Sequence, residues 1–137
     1  MTIITHLKNN LLIQLPDMLN PHAYHSIEFL DYYKSVLVIG GENNPYCDLF
    51  DITTGKWISL PEMNFPRANP SLFLEKETHM LYCCFGLVGN ISNKDSNYCD
   101  YVECLELKNI KLGWGKLDYK NNTEMNFSEK RFSIITE

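Results

Sequence analysis

The sequence lacks the signatures by which most enzymes and nucleic-acid-binding proteins are recognised. It has no Gly-x-Ser-x-Gly elbow, no phosphate-cradling glycine loop and no His-Glu-x-x-His run. Its formal net charge is -5 and its lysines are scattered, so no basic stripe is available to displace counterions from phosphates. We therefore expect a protein that is not an enzyme, that needs no cofactor and that does not bind nucleic acid.

Long apolar runs and long helical patterns are also missing. The first fifteen residues contain neither a basic leader nor a continuous apolar segment of the length that a signal peptide or membrane helix needs. We therefore expect a cytoplasmic or nuclear protein without membrane contact. Helical periodicity extends over no more than one or two turns, so the 137 residues, 45% of them hydrophobic, are predicted to form one all-β domain.

Disulfide and metal signatures are weak as well. The five cysteines form no Cys-x-x-Cys pair and several fall in apolar, strand-like runs, which favours reduced core thiols over disulfides. His22 and His25, with His79 and Cys83 elsewhere, are conceivable zinc ligands. They sit in a predicted loop and strand without a carboxylate or cysteine pair to complete the site, so no metal is predicted.

A repeat with a period of about 45 residues is what the sequence does contain. An offset of 45 places residues 15–18 on residues 60–63, Pro21 on Pro66 and Gly41 on Gly86. The chain divides accordingly into the last strands of a partial unit (1–15), two complete units (16–60 and 61–117) and the start of a further unit (118–137).

Each complete unit is predicted to hold four short strands. In the first unit these are residues 24–30, 36–39, 46–52 and 57–60. In the second they are 71–74, 79–85, 101–107 and 114–117, with a long loop over 87–98. Flanking strands are expected at 2–7, 12–15 and 127–135. Alternation in the predicted strand 24–30 places Ile27 and Phe29 on a buried side and Ser26 and Glu28 on a less buried one.

The repeat resembles the kelch-repeat β-propeller family. The residues that carry the resemblance are Gly40, Gly41, Phe50, Trp57, Leu60, Pro61, Met63, Pro66 and Arg67. The second unit departs from the pattern, because Phe85 and Leu107 replace the first glycine and the aromatic residue. The resemblance implies a kelch-type β-propeller segment of four-stranded antiparallel blades that forms an incomplete ring, with Gly41 placed where backbones approach closely.

The number of units raises the question of closure. Propellers close with four to eight blades, whereas two complete blades and parts of two others are expected here. Three explanations remain open: a piece of a longer protein, which we favour, self-association through open blade faces, or an open array.

The resemblance also implies that partners bind the loops between second and third strands and between blades. Here these loops are 41–46, 87–98, 61–69 and 17–24. The candidate contact residues, which combine amides, aromatic anchors and a planar cation, are Asn43, Asn44, Tyr46, Asn64, Phe65, Arg67 and Asn69. In the alternative interpretation Phe65 joins neighbouring blades, Arg67 pairs with an acid and the asparagines only form turns.

The expected function is that of a protein-interaction scaffold that binds another protein or a peptide, as in a ubiquitin-ligase substrate adaptor or a cytoskeletal organiser. One alternative is a piece of a kelch-fold propeller enzyme, such as a sugar isomerase or an oxidase, with catalytic residues outside this chain. Another is a gene piece without function.

Overall fold

The structure is a computed structural model that describes residues 2–6, 11–91 and 93–118. Its strands are β1 (Thr2–His6), β2 (Leu11–Leu15), β3 (Ser26–Leu30), β4 (Ser35–Ile39), β5 (Cys47–Asp51), β6 (Lys56–Leu60), β7 (Ser71–Glu75), β8 (Met80–Cys84), β9 (Leu87–Asn90), β10 (Asp95–Tyr98), β11 (Tyr101–Glu106) and β12 (Gly115–Asp118). The helical elements of this part of the chain are two 3-10 turns, Asp31–Tyr33 and Ile110–Leu112. The all-β prediction is confirmed.

The first four-stranded sheet is an antiparallel meander in the order β3-β4-β5-β6. Local chemistry explains its turns, because Gly55 supplies a φ of 68° between β5 and β6, a value that side chains disfavour. The Val-Leu-Val-Ile run lies in β4, between two strands, and is buried along most of its length. The strands predicted at 36–39, 46–52 and 57–60 are therefore confirmed.

The second sheet has the same antiparallel character and the order β7-β8-β11-β12. Between β8 and β11 the chain leaves the sheet and forms a separate hairpin from β9 and β10. The long loop predicted over 87–98 therefore contains two strands that the sequence did not predict. The hairpin forms because Leu87 pairs with Tyr98 on one side and with Ala68 on the other, contacts that local residue preferences do not reveal.

The chain begins with a third pairing, the hairpin of β1 and β2, in which Thr2 lies opposite Leu15. Both of these short strands were predicted from the sequence. The strand predicted at 127–135 lies outside the described residues, as does the rest of the predicted unit 118–137 beyond Asp118.

The core lies between the two four-stranded sheets, which pack face to face. One buried cluster joins Leu37 and Ile39 of the first sheet to Leu81 and Leu105 of the second. Complete burial of such aliphatic side chains contributes about 1.5–3 kcal/mol each. The thiol of Cys83 contacts the Met63 sulfur across 3.5 Å within the same cluster. All five cysteines are buried and free of disulfide bonds, as predicted.

The first strand of the first sheet is turned the other way from its prediction. Ile27 and Phe29 are 60% and 51% exposed, whereas Leu30 is buried. Pairing explains the difference: Ile27 lies beside Val38 and Phe29 beside Val36, on the sheet face opposite to the one that packs on the second sheet. The prediction that Ile27 and Phe29 face a buried side is therefore wrong, and Glu28 between them is exposed as well.

One tryptophan contact recurs in both units. The indole Nε1 of Trp57 donates to the carbonyl of Pro16 at 2.8 Å, and that of Trp114 donates to the carbonyl of Pro61 at 2.8 Å. Pro16 and Pro61 are related by the 45-residue offset. Trp57 lies in the outer strand of its sheet and Trp114 directly before that of the other. Each thus holds the segment through which the chain enters its own sheet.

A glycine contact recurs in the same way. A Cβ at Gly41 would lie 2.6 Å from the carbonyl oxygen of Ala23, and one at Gly86 would lie 2.8 Å from that of Ala68. Both distances are shorter than any side chain tolerates, and both glycines have positive φ values. The expectation that Gly41 lies at a close backbone approach is confirmed.

Main-chain hydrogen bonds also cross between the two units. Gly41 N–H donates to the carbonyl of Arg67 at 2.9 Å, and Asn69 N–H donates to the carbonyl of Tyr24 at 2.8 Å. Both bonds involve the short segment that leads into β7. The entry to the second sheet is therefore built onto the first.

In the part of the chain described here, no helix has the length and apolar character needed to cross a membrane.

Candidate functional site

Strand register gathers the four predicted contact loops at one end of the sheets. Ser26 pairs with Ile39, Cys47 with Leu60, and Ser71 with Cys84. Because neighbouring strands are antiparallel, the segments beyond these pairs all emerge on the same side. We call this side the loop end; it consists of residues 16–25, 40–46, 61–70, 85–91 and 93–100.

A cleft of about 390 Å³ opens at the loop end. It is lined by Pro21, His22, Ala23, Glu42, Asn43, Asn44 and Tyr46. Three of the seven predicted contact residues, Asn43, Asn44 and Tyr46, therefore share one concave surface. Asn43 is exposed, with a φ of 53° that asparagine tolerates better than most residues.

The cleft is held in shape by the Asn44 side chain. Its amide Nδ2 donates to the carbonyl of Pro21, and its Oδ1 accepts the Tyr46 N–H at 2.8 Å. One side chain thus joins the two segments that form the walls. A pre-formed site of this kind loses less entropy on binding than a flexible loop.

One residue of the cleft lining, His22, has a buried side chain. His22 Nδ1 donates to the carbonyl of Gly40 at 2.8 Å, and Nε2 lies 3.4 Å from Asp48 Oδ2, with both side chains buried. Asp48 also accepts hydrogen bonds from the main-chain and side-chain nitrogens of Asn20. His22 therefore has a structural partner set, and in the described residues no three His, Cys, Asp or Glu side chains converge on a metal position.

The same arrangement occurs one repeat later, with an arginine and a glutamate as the pair. Arg67, at the position offset by 45 from His22, donates through Nη2 to Glu103 Oε2 at 2.8 Å, and neither side chain is exposed. Its Nη1 donates to the carbonyls of Cys83, Phe85 and Tyr101. Arg67 was a candidate partner contact, but the structure places it beneath the surface, where it pairs with an acid as the alternative interpretation supposed.

The remaining candidates lie at the loop end but not in the cleft. Asn64 is exposed, and its Nδ2 donates to Glu103 Oε1 and to the carbonyl of Trp114 at 2.9 Å. Phe65 stacks on Tyr101 with ring centroids 4.6 Å apart. Asn69 is exposed with a φ of 48°. These residues therefore flank the entry to the second sheet.

The predicted contact loop 87–98 contains the β9-β10 hairpin, whose strands and exposed Tyr98 the sequence analysis did not single out. The N–H of Ile91 at its tip donates to Glu42 Oε1 at 2.7 Å, which joins the hairpin to the wall of the cleft. Tyr98 on its outer strand is 80% exposed. An aromatic residue within a polar insertion was the available signal, because such residues are over-represented at protein interfaces.

The buried thiols are chemically quiet. Burial raises the pKa of Cys47 above its usual range and that of Cys83 to about 12, so both are protonated near neutral pH.

A comparison of the chain with protein-family models gives no match, and a search of curated proteins gives none either.

Proposed function

We propose that the two four-stranded sheets are blades of a kelch-type β-propeller and that the loop end binds a peptide segment of another protein. Support for the blade architecture comes from contacts that the second unit repeats. The tryptophan-to-proline hydrogen bond and the close approach of glycine to alanine occur in both units. Units that repeat the same internal contacts are what an array of equivalent blades requires.

The single observation that carries the binding role is the cleft of about 390 Å³ at the loop end. It brings together Asn43, Asn44 and Tyr46, three residues selected from the sequence for their recognition chemistry. An asparagine amide offers both a donor and an acceptor and so matches the peptide backbone. Tyrosine adds a rigid aromatic surface at low entropic cost. A peptide is therefore the ligand class that this lining favours.

Substrate recognition for a ubiquitin ligase and organisation of the cytoskeleton are two roles that such a surface serves. Both require one folded module to hold a short segment of a larger protein. Arg67 and Glu103 contribute indirectly, because their ion pair fixes the segment that enters the second sheet.

The test is quantitative affinity capture from cell extract with three forms of the chain: wild type, Tyr46→Ala and Tyr32→Ala. Tyr32 is the matched control, because it is 64% exposed and lies beyond β3 at the opposite end of the sheet. Loss of an aromatic anchor at an interface costs at least about 1.4 kcal/mol, which is tenfold in affinity. We expect Tyr46→Ala to recover about a tenth of each specific partner and Tyr32→Ala to recover all of it. Equal recovery by the two variants would remove the cleft from the binding surface.

A further inference from the structure

The outer strand of the hairpin has an edge without a strand partner in the described residues. β10 pairs with β9 on one side. On the far side of β9, Leu87 and Ala68 exchange two main-chain hydrogen bonds of 2.8 and 2.9 Å. The inner edge of the hairpin is therefore attached to the body of the protein, and the open edge belongs to β10.

The register shows which main-chain groups face this open edge. Cys99 N–H donates to the carbonyl of Gly86 at 2.9 Å, which fixes that pair as hydrogen-bonded. Because bonded and non-bonded pairs alternate in an antiparallel ladder, Tyr98 and Leu87 form a non-bonded pair. The main-chain N–H and C=O groups of Leu87 accordingly point away from β10, towards Ala68. By the same alternation, Ser96 and Tyr98 direct their N–H and C=O groups outwards, and Asn97 directs its groups towards β9.

The side chains of β10 do not protect this edge. Proteins usually block exposed edges with several charges, a proline or a bulge. Of the four residues of β10, Asp95 alone carries a charge, and none is proline. Tyr98 stands 80% exposed beside the open main chain. The edge therefore combines hydrogen-bonding groups with an adjacent aromatic anchor.

We propose that an extended segment of the partner protein adds to β10 as a third strand of the hairpin. Its main chain bonds to Ser96 and Tyr98, and one of its side chains packs on the Tyr98 ring, the mode known as β-augmentation. The inference rests on the proposed function and specifies how the loop end holds its peptide. The Ile91–Glu42 hydrogen bond makes the path continuous, because a peptide that passes the hairpin tip reaches the cleft wall.

A second copy of the chain fits this edge less well. Two outward-facing residues supply four hydrogen-bonding groups per copy, and symmetric pairing of two four-residue strands engages little else. Stable protein interfaces bury about 1,200–2,000 Å². A longer peptide gains the additional contact area by continuing from the edge into the cleft.

The test begins with a phage-displayed library of random linear peptides selected on the full chain. Recovered peptides are synthesised, and their affinities for wild type, Ser96→Pro and Ser96→Ala are measured by fluorescence anisotropy. Proline removes the outward N–H and leaves the bonds to β9 intact, which an edge position permits; alanine keeps the N–H. We expect at least tenfold weaker binding to Ser96→Pro and a change of less than about twofold with Ser96→Ala.

A scan of the peptide itself makes the test independent of how the proline variant folds. Single N-methyl groups are placed along the bound peptide. Strand addition predicts that affinity falls at every second position, because alternate N–H groups face β10. Loss without this alternation overturns the inference.

Two further outcomes separate this inference from the proposed function. If peptides bind Tyr46→Ala more weakly but bind Ser96→Pro like wild type, the β10 assignment is overturned and the cleft remains the binding site. If neither variant changes the affinity of any recovered peptide, both the β10 assignment and the proposed role of the cleft are overturned. Sedimentation that reveals association of the chain abolished by Ser96→Pro assigns the edge to a second copy and overturns the peptide assignment.

Discussion

The guanidinium of Arg67 lies 2.8 Å from the carboxylate of Glu103, and neither side chain has any exposed surface. The carboxylate also accepts the main-chain N–H groups of Asn64 and Phe65, at 2.6 and 3.3 Å. Breaking a buried ion pair leaves a charge without compensation, which costs more than the pair gains when intact. Replacement of either residue should therefore destabilise the second sheet strongly.

Replacement of Glu103 by glutamine should lower the free energy of unfolding by about 3–5 kcal/mol, because Arg67 then remains charged and buried. Equilibrium denaturation in urea measures the change. Glu106→Gln, in the same strand but only partly buried, is the matched control and should shift the free energy by less than about 0.5 kcal/mol. Similar losses in the two variants would argue that the ion pair is not a special contact.

Gly41→Ala should lower the thermal midpoint by roughly 10 °C, since the added Cβ falls 2.6 Å from the Ala23 carbonyl and forces the backbone to move. Gly115→Ala is the matched control, because its Cβ would lie at ordinary contact distances of 3.5 and 3.8 Å from the Cys104 sulfur and carbonyl oxygen. Circular dichroism melts compare the two variants. An unchanged midpoint for Gly41→Ala would contradict the steric role assigned to this glycine.

The two tryptophans should differ in cost despite their identical hydrogen bonds. Phenylalanine at either position leaves a proline carbonyl without its donor, a loss of about 1–3 kcal/mol where that carbonyl is buried. Trp114 is 7% exposed and belongs to the core cluster, whereas Trp57 is only partly buried. We expect Trp114→Phe to be the more destabilising by at least about 1 kcal/mol in urea denaturation. The reverse order would show that Trp57 holds the more important contact.

Alkaline pH should weaken the fold through Cys83. Burial raises the pKa of its thiol from 9.0 to about 12, so the folded state holds the proton more tightly than the unfolded state. The thiol contributes its full stability below pH 9 and loses it as the pH rises from 9 to about 12. The slope is up to about 1.4 kcal/mol per pH unit for this thiol. Cys83→Ala should show a shallower fall in unfolding free energy between pH 8 and 10, and an unaltered slope would rule this thiol out as the source.

The face of the first sheet that points away from the second sheet should support self-association. Ile27 is 60% exposed on that face, beside Phe29. Sedimentation velocity should show an average size that grows with concentration, and Ile27→Lys should suppress this growth. Ile52→Lys, at a 50% exposed isoleucine in the turn after β5, is the matched control and should not. Growth that persists equally in both variants would place the association elsewhere.

The sequence was sufficient to predict strands whose formation depends on local signals. Gly55 marks a turn with positive φ, and the Val-Leu-Val-Ile run marks a strand covered on both faces. The β9-β10 hairpin could not be predicted in this way. Gly89 and the Asp-Ser-Asn stretch from Asp95 are poor strand formers, and the hairpin depends on Ala68, which is distant in sequence.

The candidate site was predictable only in part for a related reason. Asn43, Asn44 and Tyr46 are adjacent in sequence, so a single loop brings them to one cleft. Arg67 offered no local sign of burial, because its partner Glu103 lies 36 residues away. Charge in a sequence indicates exposure by default, and only the fold reveals the exceptions.

In the hydrogen bonds from Gly41 to Arg67 and from Asn69 to Tyr24, each unit donates one main-chain N–H to the other. Separation of the sheets exposes both amide protons at once, so native-state hydrogen exchange should release them with one common opening free energy. Similar modules that share such a seam melt as a single cooperative body. The two units therefore do not unfold independently, although their sequences repeat.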